Sequence, residues 1–462
     1  MTHERKRYWT GRLERNLEPN PAQAANYSRL PCRGAPICSH SMKFLAVSTL
    51  FLFCTGNLAS APLSQHAADY RAQLSQRILP YWLGKLDTTN GGFLLNDDAV
   101  RGSATPREKQ LVSQARMVWT FAHAHRHGLD DTNRSCLKAA WNGYRFLTNH
   151  FLDANLGGYF WKTDLAGQPI NERKILYGES FVIYAFVELH RATKAPQPLA
   201  EAMKLYRVIQ QHAHDSQDSG WHEHFTRDWK RLADHDPNAE VEIAGYKSAN
   251  THLHLQEALA ELYEVTKDPE VKQSLIEALD LNKRYFYPKD AGKSCFHRQR
   301  DWKAVADPKS AGLSYGHNVE FAWLMIRAEE VLGLRPDWPH FDAHLQHALQ
   351  HGYDHERGGL YHRGMGDEPA SDQNKIWWVQ AEMMAALTDA LRHQENAAQR
   401  KALDQLVHFV NAHLTDQRTG IWLDTVTAEG KPRSTGLAHS WKANYHDVRA
   451  LVKFIEAFLQ AH

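Results

Sequence analysis

A short motif recurs along this chain of 462 residues: an aspartate, then glycine or serine four residues later, then an aromatic or apolar residue close behind. Five copies begin at Asp87, Asp153, Asp215, Asp354 and Asp416. They are spaced by about 66 residues, with one interval of twice that length, as expected of a repeat architecture. A degraded copy, residues 288–292, lies in the long interval. The chain therefore contains six related units, and this number constrains its fold more than any other feature.

Each unit has room for about two helices, because apolar residues recur at helical spacing between the turns, as at Leu255, Leu259 and Leu262. A helix pair cannot bury its own apolar face, so the six pairs must stack in an open solenoid or a closed ring. A ring gives the polar residues of different units a common centre. We therefore predict an all-α, single-domain (α/α)6 barrel of about twelve helices, with short Gly-rich hairpin turns in a structural role.

The first 61 residues differ from the rest. A basic stretch without pattern, residues 1–41, precedes Met42 and an apolar run, residues 44–53, that is too short to span a bilayer. Ala59-Ser60-Ala61 has the small-x-small pattern of a cleavage site. These features predict a non-native extension over 1–41 and a signal peptide over 42–61, which leaves residues 62–462 for the (α/α)6-barrel domain. We expect a periplasmic or secreted protein with no membrane attachment after cleavage; a genuine N-terminal extension is the alternative.

The composition of the chain limits the kinds of molecule that it is expected to bind. With 43% hydrophobic residues the chain can bury a large core, and 54 Lys and Arg nearly balance 53 Asp and Glu with no long basic run. This pattern argues against nucleic-acid binding. Beyond the predicted signal peptide only Cys136 and Cys295 remain, which is no disulfide framework and no zinc motif. No feature indicates oligomers, so we expect a monomer that binds a small molecule.

Several helical stretches carry polar or paired aromatic residues where a buried helix should be apolar. Such local conflict is typical of a functional site. The candidates are Arg116, Tyr177, Asn250, His254, His317, Glu320, Trp323, Trp377, Trp378, Glu382, Trp441 and His446.

Three strings among these residues are specific: Tyr-Gly-His-x-x-Glu at 315–320, Trp-Trp-Val-Gln-Ala-Glu at 377–382 and Trp-Lys-x-x-Tyr-His at 441–446. In these strings, and over about residues 65–460, the chain resembles the cellobiose 2-epimerases of the wider N-acylglucosamine 2-epimerase superfamily. The resemblance implies an (α/α)6 barrel, no cofactor, and interconversion of glucose and mannose at the reducing end of a β-1,4-linked disaccharide.

Inverting C2 of a sugar requires a proton to leave the carbon next to the C1 carbonyl and another to arrive on the opposite face. Imidazole suits both roles, because its unperturbed pKa lies near neutrality. By the family pattern, His317 and His446 match the opposed pair, and His254 matches the histidine that opens and closes the sugar ring. Arg116 is our candidate for stabilising the enediolate charge, although a salt bridge to a neighbouring helix is an alternative role.

The other candidates are assigned to substrate binding. We expect Tyr177 and Asn250 to hydrogen-bond the hydroxyls near the reacting carbon. Glu320 follows His317 by three residues and can orient it or tune its charge, whereas Glu382 can bind sugar hydroxyls. Four tryptophans can stack on sugar rings or belong to the core: Trp323, Trp377, Trp378 and Trp441.

Several alternatives stay open. An aldose-ketose isomerase or an N-acylglucosamine 2-epimerase would act on a monosaccharide, against which the adjacent Trp377 and Trp378 argue. A glycoside hydrolase would need two flanking carboxylates, for which Glu320 and Glu382 are candidates. A sugar-binding protein without catalysis would not need His254, His317 and His446, and their presence argues against this alternative.

Metal binding is not expected at the two His-x-His motifs, 222–224 and 252–254. Side chains two residues apart on a helix diverge, whereas zinc pairs on helices use a spacing of four. We therefore predict no metal and no cofactor, and we assign His252 to helix packing.

Overall fold

The computed structural model describes residues 61–306 and 312–459. They belong to one compact unit, Ala61–His462. The expected extension over 1–41 and, apart from Ala61, the expected signal peptide over 42–61 lie outside the described residues. In the described ranges, no helix is long and apolar enough to cross a bilayer.

Thirteen α-helical segments occur in the described ranges. They are α1 Leu63–Gln73, α2 Leu79–Leu83, α3 Leu111–Arg126, α4 Ser135–Phe146, α5 Leu176–Thr193, α6 Pro196–His212, α7 Ala249–Thr266, α8 Pro269–Leu281, α9 Tyr315–Leu332, α10 Trp338–His351, α11 Trp377–His393, α12 Ala397–Phe409 and α13 Tyr445–Phe458. The π-helical turn Leu74–Ile78 joins α1 to α2, so the chain forms the twelve helices that six units predict. Similar turns extend three outer helices, α4, α8 and α12: Leu147–Phe151, Asn282–Phe286 and Val410–Leu414.

The helices form two concentric layers. The odd-numbered helices α3 to α13 are the inner ones, because they are buried on nearly all sides; every residue of α5 from Leu176 to Leu189 is buried. The outer helices bury one face, as in α6. Each inner helix packs against the next, and α13 packs back against α3. The ring is therefore closed, which confirms the (α/α)6 barrel and excludes the open solenoid.

Fourteen short strands occur in the described part of the chain, and most of them lie near the N-terminal ends of the inner helices, where they connect the units. They are β1 Asp97–Asp98, β2 Lys109–Gln110, β3 Lys162–Thr163, β4 Pro169–Asn171, β5 Lys174–Ile175, β6 His224–Phe225, β7 Lys247–Ser248, β8 His297–Arg298, β9 Leu313–Ser314, β10 Arg363–Gly364, β11 Lys375–Ile376, β12 Thr425–Val426, β13 Pro432–Ser434 and β14 Gly436–Ala438. The pairs β2–β3, β5–β6, β7–β8, β9–β10 and β11–β12 are antiparallel and join successive units. The pair β14–β1 joins the last unit to the first, so the strands close the same ring.

The repeated aspartates hold the turns in shape. The Asp87 carboxylate accepts hydrogen bonds from the backbone N–H of Thr89 and Asn90, and Gly91 and Gly92 adopt positive φ values of 84° and 69°. Glycine is favoured there because other residues are strained at positive φ. The turns are thus structural, as predicted.

A buried lysine that the sequence analysis missed binds the aspartate in four units. The pairs are Lys109–Asp87, Lys174–Asp153, Lys247–Asp215 and Lys375–Asp354, with Nζ–Oδ distances of 2.8, 3.4, 3.2 and 2.9 Å. In the degraded copy Pro288 replaces the aspartate and Leu313 the lysine. Both partners are lost together, as expected because a single buried charge is costly without its partner.

A second repeated contact explains some of the polar residues on the inner helices. One side chain near the start of each of five inner helices accepts a hydrogen bond from a backbone N–H of the preceding turn region: Gln114, Glu179, His252, Asn318 and Gln380. For His252 the acceptor is Nε2, 3.2 Å from the backbone N of Trp221. This residue therefore has a structural contact, in line with its assignment to packing.

Candidate active site

The predicted site residues converge at the strand-bearing end of the barrel. All lie in the first three turns of inner helices except Trp441, which precedes α13 and is half-buried; the others are buried. By element they are Arg116 on α3; Tyr177 on α5; Asn250 and His254 on α7; His317, Glu320 and Trp323 on α9; Trp377, Trp378 and Glu382 on α11; and His446 on α13.

His446 forms a dyad with Glu382. Its Nδ1 lies 2.6 Å from Oε1 of Glu382, and the other oxygen, Oε2, accepts a hydrogen bond from Trp323 Nε1 at 3.0 Å. Because a carboxylate can only accept, Nδ1 carries the proton and Nε2 keeps its lone pair. Burial lowers the pKa of His446 to about 3, so the ring is neutral at physiological pH. The dyad therefore presents a histidine in its base form.

His317 is bonded differently. Its Nδ1 lies 2.8 Å from the Ser314 hydroxyl and its Nε2 lies 3.3 Å from Oδ1 of Asn250. The Asn250 amide nitrogen donates to Glu242 at 3.1 Å, which turns the amide oxygen towards the histidine. Nε2 therefore carries the proton in the neutral ring. Burial, with His254 next in effect, holds the pKa of His317 well below its usual value.

Trp378 connects the two histidines. Its ring centroid lies 4.7 Å from that of His317 and 5.8 Å from that of His446. The neighbouring Trp377 instead lies beneath the buried ammonium of Lys442, 5.1 Å from its ring centroid. The adjacent tryptophans thus have separate environments, and only Trp378 contacts the histidine pair.

His254 is the third histidine of the site. Its Nδ1 lies 2.9 Å from Oε2 of Glu257, so Nε2 again keeps the lone pair. The rings of Tyr177 and Phe181 pack against it, with centroid distances of 5.3 and 4.8 Å. Burial lowers the pKa of His254 as well.

Arg116 lies beside these rings. Its guanidinium donates to the Tyr177 hydroxyl at 3.0 Å and to the backbone carbonyl of Trp441 at 3.5 Å, and it faces the Phe181 ring at 4.3 Å. No carboxylate within residues 61–306 and 312–459 forms an ion pair with it, and its Nε there has no hydrogen-bond partner. The salt bridge considered as an alternative is therefore not found in those ranges, and a buried cation faces the site.

Arg449, which the sequence analysis missed, links the carboxylates behind the histidines. It donates to Glu320 at 2.9 Å and to Glu382 at 2.7 Å, and it forms a close ion pair with Glu257. Burial alone would raise the pKa of Glu382, but Arg449 and His446 outweigh it and lower that pKa to about 2. Burial and the Glu382 charge raise the pKa of Glu320 well above its usual value.

The missed residues had a signal in the sequence. Each site histidine is followed three residues later by a charged residue, giving the pairs His254–Glu257, His317–Glu320 and His446–Arg449. This spacing puts both members on one helix face. Glu320 bonds Arg449 and not His317, because the two ring nitrogens of His317 face Ser314 and Asn250.

Trp323 and Trp441 occupy different positions. Trp323 packs its ring against two cations, the Arg449 guanidinium at 4.6 Å and the Lys453 ammonium at 4.3 Å. Trp441 lies at the half-buried edge, with its ring 6.1 Å from that of Trp161. Of these two, Trp441 is the more accessible to a ligand.

Three neutral buried histidines lie beside an arginine at one end of a closed (α/α)6 barrel, and such groups can accept and donate protons. Comparison with known proteins then gives the family. The chain belongs to the N-acylglucosamine 2-epimerase (GlcNAc 2-epimerase) family, whose sequence model matches residues 92–450. It is an enzyme of the carbohydrate epimerase and isomerase class.

Relatives support the same class. The cellobiose 2-epimerase of Bacteroides fragilis is 30% identical over 394 residues, which cover 84% of this chain and 98% of that protein. The D-mannose isomerase of Marinomonas mediterranea is 24% identical and matches 79% of this chain and 91% of its own. The solved structure of cellobiose 2-epimerase from Spirochaeta thermophila has a TM-score of 0.76 and 31% identity, covering 86% of this chain and 97% of that one.

Proposed function

We propose that this enzyme inverts C2 of the reducing-end glucose or mannose of a β-1,4-linked disaccharide such as cellobiose or mannobiose. The observation that carries the proposal is the pair His446 and His317, which contact one tryptophan but are hydrogen-bonded so that one presents a lone pair and the other an N–H. Epimerisation needs two such groups around one carbon. The names of the relatives, among them cellobiose 2-epimerases, support the choice of substrate.

In the proposed reaction the sugar ring first opens with His254 as the proton acceptor and donor. Nε2 of His446 then takes the C2 proton, and the electron pair moves onto the C1 carbonyl to form an enediolate. The imidazolium that forms is stabilised by Glu382, which already accepts its Nδ1–H. Arg116 stabilises the negative charge, because it is a cation that forms no ion pair with a carboxylate of the described residues.

His317 completes the inversion from the opposite face. Between turnovers His446 releases its proton to solvent and His317 takes one up at Nδ1; burial disfavours the resulting imidazolium of His317, and the nearby enediolate charge stabilises it. Its proton moves to C2 while the electron pair restores the carbonyl. The reverse reaction exchanges the roles of the two histidines. No electrons are gained or lost overall, so the proposed chemistry needs no cofactor.

A second candidate is an aldose-ketose isomerase, which uses the same base but returns the proton to C1; the similarity to D-mannose isomerase favours keeping it. The hydrolase alternative is less compatible with the geometry. Glu320 and Glu382 both accept hydrogen bonds from one nitrogen of Arg449, so a guanidinium fills the space that a glycosidic bond would need between them.

The test is incubation of the purified protein with cellobiose and with β-1,4-mannobiose in D2O, followed by NMR. The proposal expects the C2 epimer with deuterium at C2, no such product from His317→Ala or His446→Ala, and normal product from the matched control His408→Ala, an exposed histidine on α12. Ketose as sole product would establish the isomerase, and free monosaccharides a hydrolase. Unchanged sugars in every case would refute the proposed substrates.

Export is proposed from the N-terminal sequence alone. We expect the protein in the periplasm or medium, cleaved after Ala61, and monomeric. Cell fractionation with N-terminal sequencing tests the first two expectations, and light scattering tests the third.

A further inference from the structure

Helix α10 carries a histidine pair with no assigned role. His347 and His351 are four residues apart, so both project from one helix face, and their ring centroids are 4.8 Å apart. Asp367, in the loop after β10, approaches them, and its Oδ1 lies 3.3 Å from Nε2 of His347. One ligating atom from each of the three residues lies within 4.8 Å of the others. This outer-layer cluster involves none of the predicted catalytic residues.

We propose that His347, His351 and Asp367 form a binding site for one Zn²⁺ ion. Two imidazoles and a carboxylate are typical zinc ligands, with a water molecule as the fourth. At zinc–ligand distances of about 2.1 Å, ligand atoms in a tetrahedral site lie about 3.4 Å apart. The His347–Asp367 distance of 3.3 Å already matches that edge. His351, which is half-buried, closes the site with a small movement of its side chain.

His347 is a buried ring beside a carboxylate. Its side chain is only 7% exposed, and the ring lies close to the Asp367 carboxylate and to the backbone of Gly366. A buried imidazole next to a carboxylate is an arrangement that a zinc ion can bridge. The other histidine pair on this helix, His340 and His344, is different, because both rings bond the Tyr287 carbonyl, at 2.7 and 3.2 Å.

Two other clusters of histidine and carboxylate side chains in the described residues already have charged partners. Near the C-terminal end of α3, Glu188 accepts a hydrogen bond from Arg126 at 2.7 Å, and His127 pairs with Glu456 at 2.6 Å. In the active site, Arg449 binds both carboxylates beside His446. At the proposed zinc site the competing cation is Lys293, whose Nζ lies 2.8 Å from Oδ1 of Asp367 and whose side chain is 28% exposed.

The position of the site suggests what the ion does. The degraded turn, which lacks the lysine–aspartate pair, packs against His347: a Cβ added at Gly292 would lie 3.5 Å from the Cβ of His347. Asp367 follows β10, which pairs with β9, and Ser314 of β9 bonds the His317 ring. The ion would therefore stabilise the repeat copy in which Pro288 and Leu313 replace the aspartate and the lysine.

The test is titration of the full-length protein, carrying no polyhistidine tag and stripped with EDTA, with ZnCl2 in a calorimeter and with CoCl2 in a spectrophotometer. We expect one equivalent of zinc, the visible bands of tetrahedral cobalt, and a rise in melting temperature with zinc. His347→Ala, His351→Ala and Asp367→Asn should each weaken binding at least about tenfold. Lys293→Met should tighten binding by about tenfold, because it removes a repelling charge.

Controls separate this site from others. His408→Ala should bind zinc like the wild type, and MgCl2 should not compete, because magnesium prefers oxygen ligands. His351→Ala keeps the test decisive if the buried His347 variant does not fold. The absence of zinc binding, or binding that His351→Ala and Asp367→Asn leave unchanged, would overturn the proposal. Sugar turnover after EDTA treatment is expected to persist, so the two proposals fail independently.

Discussion

Replacing Arg449 by methionine should destabilise the protein strongly. The Arg449 side chain is 6% exposed, and those of its partners Glu257, Glu320 and Glu382 are only 1–2% exposed. Methionine fills much of the same volume but leaves the carboxylates of Glu257 and Glu382, whose pKa values are lowered in the wild type, buried without their cation. Removing one partner of a buried ion pair typically costs about 3–5 kcal/mol. We expect a loss of this size in the free energy of unfolding at pH 7.5.

The size of this loss should depend on pH. Arg449 and His446 hold the pKa of Glu382 at about 2, below its unfolded value, so its ionised form stabilises the wild type above that unfolded value. In Arg449→Met burial dominates, and the pKa values of the three carboxyls rise. The uncompensated charges are then present at pH 7.5 but are neutralised as the pH falls. The difference from the wild type should therefore shrink between pH 7.5 and pH 5.

Urea unfolding followed by circular dichroism at both pH values measures this difference. The matched control is Arg400→Met on α12, where Arg400 and Glu395 are 2.6 Å apart but 41% and 59% exposed. An exposed pair contributes about 0–1 kcal/mol, so the control should unfold nearly like the wild type. A loss below about 1 kcal/mol for Arg449→Met, or one that grows towards pH 5, would refute the reasoning.

Burial lowers the pKa of His446 to about 3, so its base form should persist below the usual imidazole value and kcat/KM should stay near its neutral level at pH 5.5. A pH–rate profile whose acid limb is centred at pH 6.5 or above would contradict this. Lys375→Met removes the bonds of Nζ to Asp354, Gly358 and Ala428 and should cost about 3–5 kcal/mol in urea unfolding. The exposed Lys204→Met should cost less than about 1 kcal/mol; equal losses would show that burial is not the cause.

The repeat predicted the architecture because it is a local signal. Helical spacing, glycine at positive φ and the period are each readable within one unit, and six copies add up to twelve helices. The same analysis missed the lysines that bind the repeated aspartates. Lys109 is a residue normally found on the surface, and only the strand pairing of the next unit buries it against Asp87.

The sequence alone also predicted many of the residues that lie together at the candidate site, because polar groups on otherwise apolar helices stand out. Their connections were decided by the tertiary structure. Arg449 and Glu257 are 192 residues apart in the chain, and they meet only because α13 closes the ring against the other inner helices. Whether a histidine presents a proton or a lone pair depends on which acceptor faces its other nitrogen, Glu382 for His446 or Asn250 for His317. Such contacts depend on the packing of distant helices, which no local pattern encodes.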